Sequence, residues 1–428
     1  ERLDLRFHRV GHVGRRLHFP LHCEQLQTEG TERARHPLPA TLRLVQIGRD
    51  RVVRDTRRGG ELHFGIHDDR HRLAVDHRGP RQEFHGVGAW HHVRTRGATT
   101  AAEAAAPDSP IARTDAPNNI SIDAQVGDKA ATDAAFAAAA HVVQLDSWVQ
   151  RVAGVPMEPR AAVGEYDPAS GKYALHAGAG GAVRPRNDVA AVLNVPPDRV
   201  RMVMHDVGGN FGTRGATNPE FVLVVWAAKR LGRPVKWVSD RTEAFLGDYQ
   251  ARDLTAHTEL ALDADGRFVA MRGTNLLNIG AHAVGFSPLQ KGVAIMSSIY
   301  HVPHVHFRAL GALTNTAPTR PYRSAGRPEV MFIMERLIDI ACRKTGIDRT
   351  ELRRRNLIPE SAMPYRNPLG MVYDSGAYHD CMENALRVGD WNGFPGRRAA
   401  ARNSGRLRGI GVANYVDTAT GVPRERAE

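Results

Sequence analysis

Apolar and polar residues follow recognisable periods from about residue 99 onward. The clearest period predicts a helix over residues 328–345, which Gly346 ends. Its apolar positions recur every three or four residues: Val330, Met334, Leu337 and Ala341. Alternation on either side of turns containing Asp and Gly predicts hairpins over residues 161–176 and 254–278. Hairpins mixed with packed helices predict an α+β fold with mixed sheets.

A second helix is marked at both ends by residues that start and stop helices. Asn218 is the expected N-cap, Pro219 lies at the first helical position, and Gly232 follows the last one. Three apolar positions share one face: Val222, Val225 and Trp226. We therefore predict a buried helix with Trp226 in the core.

Shorter elements fill the remaining intervals. They are predicted, in chain order, as a helix over 131–140, a strand over 141–151, a helix over 186–195, a strand over 201–207 and a helix over 349–356. Asp348 and Glu351 form a capping-box pattern for the last of these helices.

The first 97 residues differ in character from the rest of the chain. They contain 19 arginines, 12 histidines and no lysine against 12 acidic residues, with no sustained period. One hypothesis is that GC-rich coding DNA was translated in the wrong frame. The alternatives are a basic nucleic-acid arm, or a metal site using the spacing of His63, His67 and His71. We expect residues 1–97 not to fold natively and residues 98–117 to act as a connector.

Length and composition bound the class of protein. A chain of 428 residues with a net charge of +12 can form two or three domains. It shows no run of about 18 apolar residues and no signal pattern, so we expect a cytoplasmic protein that does not bind a membrane. Residues 1–97 carry much of the positive charge without Lys or Arg tracts interleaved with aromatics, so we expect no nucleic-acid partner. Cys23, Cys342 and Cys381 are too few and too scattered for a disulfide framework or an iron–sulfur cluster.

A glycine-rich turn, residues 208–212, follows the strand predicted over 201–207. Small residues let backbone N–H groups approach an anion closely, and a following helix N-terminus adds a favourable partial charge. The glycine order matches neither a dinucleotide fingerprint nor a P-loop. The turn is therefore either a site for a phosphate or oxo-anion group, or an ordinary strand-to-helix connection.

A second candidate loop, residues 322–326, lies directly before the long helix and contains Arg323. A guanidinium on a loop of small residues suits a carboxylate, phosphate or oxo group, because it offers paired hydrogen bonds. A loop arginine can equally be a solvated surface residue.

With two further motifs, these segments resemble the large, molybdopterin-binding subunit of the xanthine dehydrogenase, aldehyde oxidase and carbon monoxide dehydrogenase family. The resemblance covers residues 115–428, roughly. Four motifs carry it in the family's order: Pro156-Met157-Glu158-Pro159-Arg160, Asp206-Val207-Gly208-Gly209-Asn210-Phe211-Gly212, Tyr322-Arg323-Ser324-Ala325-Gly326-Arg327-Pro328-Glu329 and Arg353-Arg354-Arg355-Asn356-Leu357.

The resemblance implies a molybdenum hydroxylase that oxidises an aldehyde or an aromatic N-heterocycle with water-derived oxygen, using a glutamate base. Its cofactor would be a molybdenum–pterin group in the cytosine dinucleotide form, with the metal held through the pterin. The implied cofactor contacts are Gly208, Gly209, Asn210, Phe211, Gly212, Arg323, Ser324, Ala325 and Gly326. Phe211 and Arg323 would line the substrate pocket. The implied partners are a small subunit with 2Fe-2S clusters and a medium subunit with FAD, in a dimer of heterotrimers.

Four positions depart from the family pattern. Ser324 stands where copper-type carbon monoxide dehydrogenases carry cysteine, and Gly215 where purine-oxidising members carry an acid, which argues against carbon monoxide and xanthine as substrates. Gly180 stands where many members carry glutamine, and Asn210 replaces a third glycine. We expect these last two changes to weaken cofactor binding.

The resemblance also implies that the chain is incomplete at both ends. Residues 1–97 show no family motif, and the molybdopterin-binding domain, 118–428, is expected to be truncated at its C-terminal end. We assign no catalytic residue, because Glu220 and Glu329 each lie in the first turn of a helix and favour its dipole. We therefore expect an inactive, cofactor-free enzyme fragment. The alternative is a noncatalytic partner-binding protein that retains the scaffold.

Overall fold

The computed structural model describes residues 97–417 and, before them, four strands. These are β1 (Phe7–Arg9), β2 (Leu44–Gln46), β3 (Val52–Arg58) and β4 (Glu61–Ile66), which form one sheet in the order β1-β4-β3-β2. The chain divides after Gly97 into two compact units. The side chains of the histidine candidates, His63, His67 and His71, lie outside what the structure describes. Within the described residues, no helix is long and apolar enough to span a bilayer.

The second unit alternates strands and helices. Its strands are β5 (Ile120–Gly127), β6 (His141–Ala153), β7 (Ala161–Asp167), β8 (Lys172–Ala177), β9 (Val200–Val203), β10 (Val235–Val238), β11 (Gln250–Leu262), β12 (Phe268–Gly280), β13 (His304–Leu313), β14 (Tyr365–Arg366) and β15 (Val372–Tyr373). Its α-helices are α1 (Ala101–Ala104), α2 (Lys129–Ala138), α3 (Val183–Leu193), α4 (Pro219–Leu231), α5 (Arg241–Gly247), α6 (Ser287–Val293), α7 (Arg327–Thr345), α8 (Arg349–Asn356), α9 (Tyr378–Val388) and α10 (Phe394–Asn403). The predicted α+β fold with mixed sheets is confirmed.

The larger sheet runs in the order β5-β13-β12-β11-β6 and is covered on both faces. Successive residues of a strand point to opposite faces, and β12 shows this with two fully buried neighbours. Met271 belongs to the main core with α7, whereas Ala270 packs with Phe136 of α2 on the other face. The β11–β12 pair confirms the hairpin predicted over 254–278, with Leu254 opposite Leu277.

The smaller sheet runs in the order β10-β7-β8-β9 and packs against α3 and α4. The β7–β8 pair confirms the hairpin predicted over 161–176. Helix α4 approaches β7 so closely that a Cβ placed on Gly164 would lie 2.4 Å from the carbonyl carbon of Val224. Strand β9 is an edge strand, and the glycine-rich turn lies in the connection that follows it.

Helix α7 confirms the strongest prediction. It spans Arg327–Thr345, ends at Gly346 in the left-handed conformation, and buries each of its four predicted apolar positions: Val330, Met334, Leu337 and Ala341. It packs against β6 and β11. Since the Arg323 loop leads directly into α7, the main core fixes one end of that loop.

Helix α4 has the predicted bounds, but the prediction for Trp226 is wrong. The buried face consists of Phe221, Val224, Val225 and Ala228. The Trp226 ring is 36% exposed and lies beneath the guanidinium of Arg230 at 5.0 Å. Of the three positions named from the sequence, Val225 is buried and Val222 is partly buried against the core of the smaller sheet, whereas Trp226 lies outside the buried face.

Two other predictions needed correction. Strand β9 ends at Val203 instead of continuing to residue 207, because as an edge strand it has a pairing partner on one side and the following residues leave β8. The expected capping box at α8 is half formed. Asp348 accepts hydrogen bonds from the Thr350 and Glu351 N–H groups, but the Glu351 carboxylate pairs with Arg354 and Arg355.

The expected connector, residues 98–117, is packed structure. Ala101 and Ala104 of α1 are buried together with Ala312 of the larger sheet. The Asn119 side-chain amide donates to the Ala104 and Pro110 carbonyls, which ties this segment to the start of β5.

Candidate active site

The glycine-rich turn is anchored by Glu158, from the first of the four family motifs. The Gly208 N–H donates to the Glu158 carboxylate at 2.8 Å, and the Glu158 N–H donates back to the Gly208 carbonyl at 3.2 Å. A Cβ placed on Gly208 would lie 2.4 Å from the Glu158 Cβ. Glycine is therefore required at position 208 because the two backbone segments approach each other so closely.

The turn offers fewer free N–H groups than the sequence suggested. Asn210 closes it from within, because its Oδ1 accepts the Gly212 N–H at 2.7 Å. With Gly208 bonded to Glu158, the N–H groups of Gly209, Asn210 and Phe211 are those without a partner among residues 97–417. Residues 213–218 separate the turn from α4, so the helix N-terminus is not part of it, contrary to expectation.

The Phe211 turn and the Arg323 loop meet directly. The Arg323 N–H donates to the Phe211 carbonyl at 2.9 Å. Gly212 adopts φ +91°, and a Cβ placed on it would lie 2.5 Å from the Pro321 carbonyl oxygen. Two segments 112 positions apart in sequence therefore form one surface, as the resemblance required.

The Arg323 loop has an unusual backbone. Arg323, Ser324, Ala325 and Gly326 follow one another with positive φ values of 21°, 68°, 44° and 92°. L-residues disfavour this region, so the surrounding structure must hold the loop in place. A Cβ on Gly326 would lie 1.8 Å from the Pro288 carbonyl oxygen, and the Ser324 hydroxyl donates to Asp417 at 2.7 Å. The Arg323 side chain itself is exposed.

A partly buried charge network adjoins the turn through Glu158. It contains two arginines and three acids: Arg160, Arg214, Glu158, Glu220 and Asp248. Arg160 is 3% exposed and donates to Asp248 at 2.5 Å and to Glu220 at 2.6 Å. Burial lowers the pKa of Arg214, and Asp248 and Glu158 oppose that shift. The network connects the Glu158 segment, and through it the turn, to α4 and α5.

Gly180 and Asn210, two of the departures from the family pattern, are in contact. A Cβ placed on Gly180 would lie 2.7 Å from the Asn210 Nδ2. That amide nitrogen is buried and has no hydrogen-bond partner. Asparagine at 210 thus depends on glycine at 180, and the pair leaves one buried donor available at the turn.

The glutamates near the two loops are all engaged. Glu158 binds the turn, Glu220 binds Arg160, and Glu329 is 3% exposed and paired with Arg252 at 2.5 Å. Glu220 and Glu329 do lie in the first turns of their helices, as predicted. Their ion pairs with arginine were not visible from the sequence.

A cavity of about 480 Å³ lies beside the Arg323 loop. Ser324 and Arg327 line it together with residues of α7 and the segment 412–417, and Phe211 is not among its lining residues. Arg353, from the fourth motif, also reaches it, but its guanidinium is 1% exposed and bonded to Glu335 and Asp339. The fourth motif therefore joins α8 to α7 and takes no part in the Phe211 surface.

Three residues that support the site were not predicted as functional from the sequence: Glu158, Arg160 and Arg252. Glu158 and Arg160 were noted only as part of a motif, and Arg252 was not singled out. The proline-flanked spacing of Glu158 and Arg160 was a signal for the first two. No sequence signal marked Arg252, whose partners lie more than 70 positions away.

Comparison with known proteins identifies the family of the chain. Residues 112–357 match the family model described as molybdopterin cofactor-binding domain. The gamma subunit of the 6-hydroxypseudooxynicotine dehydrogenase complex of Paenarthrobacter nicotinovorans is 36% identical over 67% of this chain. The carbon monoxide dehydrogenase large chain of Hydrogenophaga pseudoflava is 33% identical over 71% of it. The chain spans 37% and 39% of the lengths of these relatives.

A solved structure of the same family superposes on this chain. Quinoline 2-oxidoreductase from Pseudomonas putida 86 superposes with a TM-score of 0.67 and 31% identity, over 72% of this chain and 39% of that one. The chain belongs to the molybdopterin-binding large-subunit family of the molybdenum hydroxylases, which includes xanthine dehydrogenase and carbon monoxide dehydrogenase.

Proposed function

We propose that this chain is the part of a molybdenum hydroxylase large subunit in which the Phe211 turn and the Arg323 loop hold the molybdenum–pterin group between them. The observation that carries the proposal is the hydrogen bond from the Arg323 N–H to the Phe211 carbonyl. It joins the two loops that the family resemblance assigns to one cofactor. The match to catalytic subunits favours this function over the noncatalytic alternative.

The donor set at the joined loops fits an anionic oxo group. Three N–H groups, those of Gly209, Asn210 and Phe211, lack partners among residues 97–417, and the buried Asn210 amide adds a fourth donor. The exposed Arg323 guanidinium would neutralise charge at the rim. When bound, the cofactor would supply a metal centre that accepts two electrons from a substrate carbon while water provides the oxygen.

The proposed substrate is an aromatic N-heterocycle or an aldehyde. Phe211 is 42% exposed on the surface shared by the two loops, so its ring can contact a planar substrate. The names of three relatives refer to quinoline, nicotine and a hydroxylated nicotine derivative, which supports the heterocycle. Ser324 in place of cysteine argues against copper-dependent carbon monoxide oxidation.

Further features of the complete enzyme are proposals by analogy with the family. They are a medium subunit with FAD, a small subunit with 2Fe-2S clusters, the cytosine dinucleotide form of the cofactor, a dimer of heterotrimers and a cytoplasmic location. Relatives named as a complex subunit and a large subunit support the presence of partner subunits.

We also propose that the chain with the printed sequence has no hydroxylase activity by itself. The three glutamates nearest the joined loops already bind a backbone N–H or an arginine, so none of them is free to act as a base. Molybdenum in the purified chain, together with oxidation of quinoline or an aldehyde, would contradict this proposal.

The site assignment is tested in the complete enzyme that carries this chain. Phe211→Ala and Arg323→Met should each raise KM for a heterocyclic substrate about tenfold, while the molybdenum content of the purified enzyme stays near that of wild type. Asn210→Asp places a carboxylate beside an anionic group and should lower the molybdenum content. Arg272→Met, which changes an arginine of β12 that pairs with Glu259 and Asp133, is the control. Unchanged KM and metal content in all three site variants would reject the proposed site.

A further inference from the structure

Arg252 lies in β11 with a backbone conformation that is rare inside a strand. It and Asp253 have φ values of +63° and +72°. The Asp253 carboxylate accepts hydrogen bonds from Trp148, Arg151 and Asn278, which keep this irregularity in place. Such strain is retained where the surrounding structure requires it, and it commonly accompanies a site of function.

The Arg252 guanidinium reaches three parts of the segment that contains the Arg323 loop. Its Nη1 donates to the Glu329 carboxylate at 2.5 Å, and its Nη2 donates to the Arg323 carbonyl at 3.0 Å. The same group lies over the Tyr322 ring, 5.3 Å from the centroid. The Arg252 side chain is 13% exposed and that of Glu329 is 3% exposed, so the pair is shielded from water.

We infer that Arg252 is a positioning residue, oriented by Glu329, that holds the Arg323 loop against the Phe211 turn. The inference concerns the same site as the proposed function and takes its importance from it. Arg252 acts on Arg323 through its backbone carbonyl.

Arg323 is held by hydrogen bonds on both sides of its backbone. Its N–H is bound by the Phe211 carbonyl and its C=O by Arg252, so the backbone of Arg323 is fixed from both sides. The next three residues also have positive φ values and would relax if released. A planar guanidinium can donate to a carboxylate and a carbonyl at the same time, whereas a lysine ammonium offers no such fork.

The sequence of the loop provides a direct test. Peptide bonds from arginine to proline resist trypsin, and both Arg320 and Arg327 precede proline. Within residues 320–329, Arg323–Ser324 is therefore the bond that trypsin can cut. Cleavage in the native state requires the loop to open, so the rate at which a peptide beginning at Ser324 appears by mass spectrometry measures how firmly the loop is held.

The experiment uses the full chain without cofactor. Arg252→Met should raise the cleavage rate after Arg323 by about tenfold to a hundredfold, as expected for loss of a hydrogen bond from a charged donor. Arg252→Lys keeps the ion pair with Glu329 but should rescue the slow rate only in part. Arg272→Met, which removes a paired arginine from the adjacent strand β12, should leave the rate unchanged.

Arg252→Met leaves Glu329 buried without its partner and can destabilise the whole unit. The double variant Arg252→Met/Glu329→Leu removes both charges, so its melting temperature should stay close to that of wild type. It should still show fast cleavage after Arg323. Slow cleavage in the double variant, or full rescue by lysine, would overturn the inference.

The result is independent of cofactor chemistry. Fast cleavage in the Arg252 variants, combined with unchanged KM and metal content in all three site variants of the complete enzyme, would support the positioning role and reject the proposed function. Slow cleavage in the Arg252 variants, combined with a raised KM in Arg323→Met of the complete enzyme, would reject the positioning role and support the proposed function.

Discussion

The contact between the two loops predicts the effect of Gly212→Ala. Gly212 has φ +91°, and an added Cβ would lie 2.5 Å from the Pro321 carbonyl oxygen. The positive φ costs an L-residue about 1 kcal/mol. A methyl group this close to a backbone oxygen requires one of the two loops to move.

Two responses to the new methyl group compete. Keeping both loops in place stores overpacking strain of about 1–3 kcal/mol. Separating them loses the hydrogen bond from Arg323 to Phe211, with a net cost of about 0.5–1.5 kcal/mol. Separation is cheaper, so we expect the loops to move apart. The total loss in the free energy of unfolding should then be about 2 kcal/mol, the sum of the φ cost and about 1 kcal/mol for the hydrogen bond.

The assay combines urea unfolding with trypsin cleavage after Arg323. Gly232→Ala is the matched control, because Gly232 has φ +65° but no heavy atom within 4 Å of its ideal Cβ. The control should lose about 1 kcal/mol and cleave at the wild-type rate. Gly212→Ala should lose about 1 kcal/mol more and cleave about fivefold faster. Equal stability and equal cleavage rates in the two variants would refute the reasoning.

Three further predictions concern other parts of the chain. Gly180→Ala should cost about 1 kcal/mol by displacing the Asn210 amide, and adding Asn210→Gly should recover most of that loss in a double-mutant cycle. Asp348→Ala should cost about 1 kcal/mol at pH 7. Hydrogen bonds from Thr350 lower the pKa of Asp348. The contribution of Asp348 to the free energy of unfolding is therefore full above the ordinary carboxyl pKa of about 3.9 and is lost as pH falls through the lowered pKa. Urea unfolding of the wild type and Asp348→Ala should show a smaller difference in stability at pH 3 than at pH 7. Burial raises the pKa of the Cys342 thiol to about 11, so iodoacetamide at pH 8 should modify the exposed Cys381 and leave Cys342 unmodified until the protein unfolds, as read by peptide mass spectrometry.

Sequence signals predicted an element correctly where residues within that element, such as caps and turn residues, set its ends. The bounds of α4 followed from Asn218, Pro219 and Gly232, and the turn between β7 and β8 followed from its Asp and Gly residues. Errors arose where a neighbour decided the outcome. Trp226 is exposed because the sheet covers the other side of its helix, and β9 is short because it lies at a sheet edge.

The same distinction applies to the site. The sequence identified the glycine turn and the arginine loop as candidates, since each carries its chemistry within a few adjacent residues. It could not show that Glu158 and Asn210 occupy two of the N–H groups of the turn, because those hydrogen bonds depend on side-chain placement. The contact between Gly180 and Asn210 was likewise invisible until both were placed in space.

The sequence by itself determined the α+β class, the principal helix and hairpins, the family, and the two segments that carry the candidate chemistry. These properties depend on periodicity, turn residues and motifs, each of which involves residues close together in sequence. The tertiary structure alone decided that Phe211 touches Arg323, that Arg252 bonds both Glu329 and the Arg323 carbonyl, and that a partly buried network of five charges adjoins the turn. These contacts join residues tens of positions apart, and their energies depend on burial and distance, which exist only once the chain has folded.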